Sequence, residues 1–171
     1  MTTKSDDLNE NGELQLLVAD YTNPAHGMAI ISLMDSYASE GAGGGKPLSE
    51  QVKNDLVNAL DQVPGAFSVL CFGGDQAIGL MNCFQGFSTF KCQPLINIHD
   101  VVVVESHRGK GICAKMLSLV EQVARERGCC KVTLEVQEGN RVARVAYQKS
   151  GYSCYELNPD MGHALFWQKT L

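Results

Sequence analysis

Apolar residues recur along this chain with two periods, which predict strands and helices in alternation. Short apolar runs bounded by turn residues predict strands at 13–19, 66–72, 76–84, 94–104, 130–136, 152–157 and 164–169. Apolar residues three and four apart predict helices at 24–39, 50–61, 109–127 and 140–150. Because this order mixes hairpins with crossover connections, we expect one mixed sheet flanked by about four helices, an α/β (α+β) fold.

Capping and turn residues mark the ends of the first two helices. Asn23 is suited to cap the first helix with Pro24 at its first position, and Ser49 is suited to cap the second. The glycine-rich run 41–45 between them cannot hold regular structure cheaply. On the first helix the spacing predicts a buried stripe of Met28, Ile31 and Met34, with Ile30 and Leu33 as further candidates.

Length, composition and charge narrow the class of protein. A chain of 171 residues with 44% hydrophobic content suits a single compact domain over 13–171, after a polar tail at 1–12. The net charge of -5 disfavours nucleic acid as the main partner and is compatible with a cationic small substrate. No apolar stretch approaches the roughly 20 residues that cross a bilayer, so we expect no membrane partner.

The cysteines carry no recognisable metal or disulfide pattern. The chain has 7 of them, an odd number, with no C-x-x-C pair and no Cys/His cluster at zinc-ligand spacing. The first residues, 1–11, lack the apolar segment of a secretory signal. We therefore expect reduced thiols in a cytoplasmic protein without a metal.

The turn at 108–113, with sequence RGKGIC, follows the apolar run at 98–104 and opens a predicted helix. Unpaired backbone N–H groups and the helix dipole favour an anion at such a place, and the anion is usually a phosphate. The P-loop spacing is missing. A dinucleotide fingerprint is only partly matched, because Ala114 stands at its last glycine and the turn follows the fourth strand, not the first.

The same turn resembles a signature of the GNAT superfamily of acyl-CoA-dependent N-acetyltransferases, [QR]-x-x-G-x-[GA]. Residues 108–112 match it, and Cys113 stands where the family has glycine or alanine. A second family signature, N-x-x-A-x-x-x-Y-x-x-x-G-[FY], is similar to residues 140–152. The resemblance is strong over about 95–152, and the order of elements extends it over 14–171. It implies a GNAT-like, mostly antiparallel central sheet.

The resemblance implies acetyl-CoA as cosubstrate and no metal. Backbone N–H groups from Arg108 to Ala114 would hold the pyrophosphate, and the backbone of Val101 and Val103 would pair with the pantetheine arm. Asn140 would donate a hydrogen bond to the cofactor. The full set of implied cofactor-binding residues is Val101, Val103, Arg108, Gly109, Lys110, Gly111, Ile112, Cys113, Ala114, Asn140, Ala143 and Tyr147.

The resemblance also implies two catalytic roles. Tyr147 would be the general acid that protonates the leaving thiolate, since a phenol has a pKa of about 10. His99 stands where many relatives carry a glutamate base, and histidine titrates near neutral pH. Asp100, Glu135 or a water remain alternatives for the base. Strand alternation predicts that His99 and Asp100 lie on opposite faces, so that one of them is structural.

The resemblance implies an enzyme that moves an acetyl group from acetyl-CoA to a primary amine, which we expect to belong to a small molecule. The alternatives are a non-catalytic acyl-CoA-binding module and a protein lysine or N-terminal acetyltransferase. A homodimer is a family-level expectation. We expect the first two helices, the 41–45 loop and the 84–93 connection to select the substrate, with Phe84, Phe87 and Phe90 in the core or an interface, or else in a pocket.

Overall fold

The computed structural model describes residues 14–155, 158, 160, 162 and 164–171, without the side chain of residue 42. The predicted tail at 1–12 lies outside these residues. Contacts divide the chain into two compact units, the first ending at Glu135 and the second beginning at Val136. No helix in the described ranges is long and apolar enough to cross a membrane.

In its described residues, from Leu14 onward, the first unit holds a five-stranded sheet and three α-helices. Its elements are β1 (Leu14–Val18), α1 (Pro24–Ser39), α2 (Glu50–Gln62), β2 (Phe67–Gly73), β3 (Gln76–Ser88), β4 (Gln93–Val103), α3 (Ile112–Glu126) and β5 (Val132–Leu134). The strands lie in the order β1-β2-β3-β4-β5. Neighbours are antiparallel except β4 and β5, which are parallel. The predicted mixed, mostly antiparallel sheet with flanking helices is confirmed.

The helices α1 and α2 cover one face of this sheet. The buried cluster there consists of Ala29, Ile30, Leu33, Leu60, Leu70, Leu80 and Val102. On α1, the candidates Ile30 and Leu33 are buried, which confirms that part of the predicted stripe, whereas Met28 is 65% exposed and its place in the stripe is wrong. The reason is that α1 contacts α2 as well as the sheet, with Gly27 facing Val57, which rotates the buried arc away from Met28.

The helix α3 packs on the other face of the sheet. A Cβ at Gly79 of β3 would lie 2.9 Å from the Met116 sulfur, so a glycine there lets α3 approach closely. The Arg127 guanidinium, just after α3, lies 4.5 Å from the centre of the Phe67 ring. This packing fixes where α3 begins relative to the end of β4.

The hairpin between β3 and β4 is longer than predicted. Strand β3 continues to Ser88, so most of the expected 84–93 connection is paired strand. Phe84 packs against the α1/α2 cluster. Phe87 and Phe90 are 60% and 88% exposed, so of the expected locations the core is wrong for these two rings, because they lie at the turn of the β3/β4 hairpin.

The second unit contains α4 (Arg141–Lys149). Asn140 caps this helix, since its side-chain oxygen accepts a hydrogen bond from the Ala143 N–H at 3.1 Å.

The described residues of the predicted strands at 152–157 and 164–169 form no strand. Phe166 and Trp167 are 78% and 82% exposed, so the apolar pattern there does not mark a buried strand, and that prediction is wrong.

Candidate functional site

A β-bulge at His99 interrupts the pairing of β3 with β4. Cys83 lies opposite Ile98, and the next residue back, Asn82, lies opposite Asp100. His99 is therefore an extra residue with no partner of its own on β3. For each later residue of β4, the bulge changes the edge toward which the backbone groups point and the face on which the side chain lies.

Backbone hydrogen bonds show the change of edge. Before the bulge, the Pro94 oxygen and the Ile96 N–H bond to the segment leading into β5, at 2.8 and 3.1 Å. After it, the Val104 N–H donates to the Ile78 oxygen at 2.9 Å, toward β3. Since backbone groups alternate in direction along a strand, those of Val101 and Val103 point away from β3.

The strand β5 leaves this edge open at the same place. Its pairing with β4 ends at Ile98 and Leu134. No strand of the described residues pairs with β4 on that side beyond Ile98. The backbone groups of Val101 and Val103 thus lie along an unpaired edge, where the Val103 oxygen accepts a hydrogen bond from Arg108 Nε at 2.9 Å.

The bulge also brings His99 and Asp100 to one face. The His99 ring meets the Phe84 ring edge-on, with centroids 5.7 Å apart. Asp100 Oδ2 accepts a hydrogen bond from Asn82 Nδ2 at 3.0 Å. Asn82 and Phe84 are two residues apart on β3 and share a face. The prediction of opposite faces is therefore wrong, because the extra residue breaks the alternation.

Polar residues from β4 and the end of β5 extend this face. Asn97, opposite Phe84, donates from Nδ2 to Thr133 Oγ1 and to Glu135 Oε1, both at 3.2 Å. His99 and Glu135 are exposed, and Asp100 is half-buried. On α1, burial raises the pKa of Tyr37, and the charge of Asp100 raises it further. The face therefore combines carboxylates, an imidazole and a neutral phenol.

Beyond β4, the turn before α3 offers backbone donors. Gly109 and Gly111 have φ angles of 77° and 78°, the left-handed region that glycine favours, and a Cβ at either would meet open space. The helical bonding of α3 begins with the Lys115 N–H on the Gly111 oxygen. The N–H groups at 112–114 therefore have no acceptor within the helix.

Arg108 contributes differently from what the signature suggested. Its own N–H is bonded to the Glu105 oxygen at 3.1 Å, so the free donors begin at Gly109. Its guanidinium binds both carboxylate oxygens of Glu40, at 2.6 and 2.8 Å. Arg108 thus links the end of β4, through Val103, to the end of α1.

The Cys113 thiol lies in the first turn of α3. A helix N-terminus ordinarily favours the thiolate. Here burial dominates and raises the pKa of Cys113 to about 11, so the group is neutral at physiological pH. A small, uncharged side chain therefore stands where the family signature has glycine or alanine.

The remaining predicted residues are Ile112, at the first position of α3, and Ala143 and Tyr147, on α4 of the second unit. Ile112 is 2% exposed, so it can offer only its backbone. Tyr147 and Ala143 lie on α4 in the second unit, where the Tyr147 ring is 6.4 Å from that of Tyr152. In the described part of the chain, no group of three His, Cys, Asp or Glu residues could hold a metal ion.

Several residues of the site were missed by sequence reasoning. Glu40, Ser68, Asn82 and Asn97 are drawn into it by pairing across the sheet or by contact with a distant loop. The only signal in the sequence was a polar residue within an apolar strand, as at Ser68 and Asn82. Such a residue requires a buried hydrogen-bond partner.

Comparison with known proteins decides the family. Residues 31–152, more than half of the chain, match the acetyltransferase (GNAT) family. The chain belongs to the GNAT acetyltransferase family. An N-alpha-acetyltransferase MAK3 from Arabidopsis thaliana is 27% identical over 154 residues, which cover 89% of this chain and 74% of that protein.

Two further relatives of this GNAT chain show the range of the likeness. An uncharacterized N-acetyltransferase, YhfO, from Bacillus subtilis is 31% identical over 75 residues, 44% of this chain and half of that protein's length (50%). An aminoglycoside N-acetyltransferase solved with CoA superposes with a TM-score of 0.71 at 15% identity, covering 96% of this chain and 100% of that one. At that identity the likeness shows the fold.

The raised pKa of Cys113 predicts low reactivity. Because the thiolate is the nucleophile, a thiol with a pKa of about 11 is only about one-thousandth ionised at about pH 8. We expect iodoacetamide to alkylate the exposed Cys92 at least about tenfold faster than Cys113. The rate at Cys113 should rise only as the pH approaches the pKa of its thiol.

Peptide mass spectrometry after timed alkylation measures both rates. The Cys113→Ser variant identifies the Cys113 peptide. Equal rates for the two cysteines at about pH 8 would contradict a buried, neutral thiol at the start of α3.

Proposed function

We propose that this GNAT chain transfers an acetyl group from acetyl-CoA to a primary amine of a small molecule. The observation that supports this most is the bulge at His99. It leaves an open backbone edge at Val101 and Val103 that leads to the α3 N-terminus, and it turns His99 and Asp100 to the α1/α2 face. A cofactor edge and an acceptor face thus meet on one strand.

The residues present fit coenzyme A. Its pantetheine arm carries amides, and a strand edge such as Val101–Val103 can pair with amides in the manner of an added strand. Its pyrophosphate suits the turn at 109–114, which has free N–H groups, a helix dipole and open space beside two glycines. The neutral Cys113 thiol adds no opposing charge there. Acetyl-CoA would supply the acetyl group as an activated thioester.

The acceptor face can bind and deprotonate an ammonium ion. Asp100 is a half-buried carboxylate that can pair with the cation, as the chain's net charge of -5 allows. The neighbouring His99 imidazole can take the proton, directly or through a water, and its exposure lets the proton pass to solvent. Glu135 lies on the same face and is the weaker candidate for this role.

Tyr147 completes the proposal as the general acid for the leaving thiolate. Its support is the family signature, in which Asn140, Ala143 and Tyr147 occupy the matching positions. In the second unit, Asn140 caps α4 and Tyr147 is buried on that helix, so the ring is held in place. A phenol can give its proton to a thiolate as the C–S bond breaks.

A protein N-terminus is the second candidate acceptor. The Arabidopsis relative is named an N-alpha-acetyltransferase and aligns with most of this chain. We favour a small molecule because Asp100 is half-buried beside Asn82, on the face of the sheet that α1 covers, where a compact cation fits more readily than a peptide end.

Turnover of acetyl-CoA across a panel of amines, with peptides of free N-terminus included, tests the activity. We expect free thiol to be released with small primary amines, and the Tyr147→Phe variant to lose about tenfold or more in kcat because the thiolate leaves unprotonated. The Tyr155→Phe variant, altered at an exposed tyrosine of the same unit, is the matched control and should keep its rate.

Binding of CoA without turnover on any amine or peptide would instead favour a binding module. Turnover on peptides alone would move the acceptor to a protein. A loss of less than about threefold in Tyr147→Phe would remove Tyr147 as the general acid.

The role of His99 predicts a change in the pH–rate profile. We expect the pH dependence of kcat/KM for the amine to lose one limb in His99→Gln, because a general base acts only in its unprotonated form. The limb set by the amine's own ionisation remains in both proteins. His26→Gln is the control. His26 lies in the first turn of α1, where its Nδ1 accepts a hydrogen bond from the Asp20 N–H, and it is given no role in the reaction. Superimposable profiles for wild type and His99→Gln would exclude His99 as the base.

A further inference from the structure

A buried row of hydrogen bonds crosses the sheet and ends at Asp100. The Tyr21 hydroxyl lies 3.0 Å from Ser68 Oγ, which lies 2.7 Å from Asn82 Oδ1, and Asn82 Nδ2 lies 3.0 Å from Asp100 Oδ2. Ser68 and Asn82 are 0% and 2% exposed. The pairing of β2, β3 and β4 places Ser68, Asn82 and Asp100 directly side by side, and the bulge puts Asp100 there in place of His99.

The protons in this row can point only one way when Asp100 is ionised. A carboxylate only accepts, so Asn82 must present its Nδ2, and its Oδ1 then faces Ser68. Ser68 gives its single proton to that oxygen, so Tyr21 must be the donor to Ser68. Every donor therefore points toward Asp100, an arrangement in which neighbouring bonds strengthen one another.

The Asn82 amide is locked in this orientation. Its second Nδ2 proton points to Met34 Sδ at 3.3 Å on α1, while Oδ1 is occupied by Ser68. A flipped amide would turn its oxygen against the Asp100 carboxylate and leave two buried groups without matching partners. The row thus fixes one oxygen of Asp100.

The other oxygen of Asp100 is left for a ligand. Within the described residues, Asn82 is the sole hydrogen-bond donor to Asp100, and no lysine, arginine or histidine lies within ion-pair distance of it. A half-buried carboxylate that is oriented by neutral groups and lacks a cationic partner is suited to receive a cation.

We propose that Tyr21, Ser68 and Asn82 are positioning residues that hold Asp100 so that its free oxygen binds the ammonium group of the acceptor. This inference rests on the proposed function. It assigns the three residues no contact with the acceptor, and it predicts that their effect passes through the charge and orientation of Asp100.

A charge swap between Asn82 and Asp100 tests the inference. Asn82→Asp places two carboxylates 3.0 Å apart and should lower the unfolding midpoint. Adding Asp100→Asn again places one amide donor opposite one carboxylate acceptor. The double variant should therefore recover most of the loss in unfolding midpoint that Asn82→Asp causes. Its charge, however, now sits at the 2% exposed position 82, out of reach of the acceptor. We therefore expect its amine kcat/KM to stay about tenfold or more below wild type, as in Asp100→Asn alone.

The positioning role has its own readout. Ser68→Ala removes the donor that fixes the amide, so the amine KM should rise about threefold or more while the acetyl-CoA KM stays within about twofold. The control is Val69→Ala, a fully buried neighbour on β2 that faces the other side of the sheet. It should lose stability without changing the amine KM.

Two outcomes with these variants would overturn the inference. One is recovery of both midpoint and amine kcat/KM in the double variant, which would make Asp100 a structural partner of Asn82 only. The other is an equal rise of the amine KM in Val69→Ala and Ser68→Ala.

A binding measurement separates this inference from the proposed function. The dication 1,4-diaminobutane, used as a plain probe, should raise the unfolding midpoint of wild type but not of Asp100→Asn or the double variant. That pattern without any turnover would refute the proposed function and leave the cation site standing. An equal shift in all three proteins would refute the cation site.

Discussion

The extra residue at His99 in β4 is the constraint on which the rest of the site depends. It shifts the direction of the backbone groups by one residue, so Val101 and Val103 address the open edge beyond Ile98. It also places Asp100 opposite Asn82 and turns His99 to the same face. With a regular strand, the groups at that edge would be those of Asp100 and Val102, and the row from Ser68 would end at His99.

The two sides of β4 differ in their electrostatics. Toward α3, the site offers free N–H groups, a helix N-terminus and a thiol that burial keeps neutral, all of which suit an anion. Toward α1 and α2, it offers the carboxylate of Asp100, which suits a cation. The pair between Arg108 and Glu40 spans the two sides, because Arg108 also binds the Val103 oxygen at the open edge. One strand can therefore present an anionic cofactor and a cationic acceptor to each other.

Sequence patterns identified the elements and the local motifs of this chain but not its register. The caps at Asn23, Ser49 and Asn140 were predictable because each is satisfied within one turn of its own helix. The bulge was not predictable, because no residue type marks a bulge in the sequence and the alternation of side chains assumes a regularly paired strand. The pair of Arg108 with Glu40 joins residues far apart in sequence, and only packing brings them together. The strand predicted at 164–169 was wrong because an apolar pattern alone does not show that a partner strand is present.

Residue-resolved amide hydrogen exchange by NMR, with and without saturating CoA, tests the central claim most directly. If the bulge sets the direction of the backbone, CoA should slow exchange at Val101 and Val103, and at the free N–H groups of 109–114. The Val104 N–H, already bonded to Ile78, should be protected in both states. Unchanged exchange at both Val101 and Val103 under saturating CoA, or protection gained at Val102 in their place, would contradict the account.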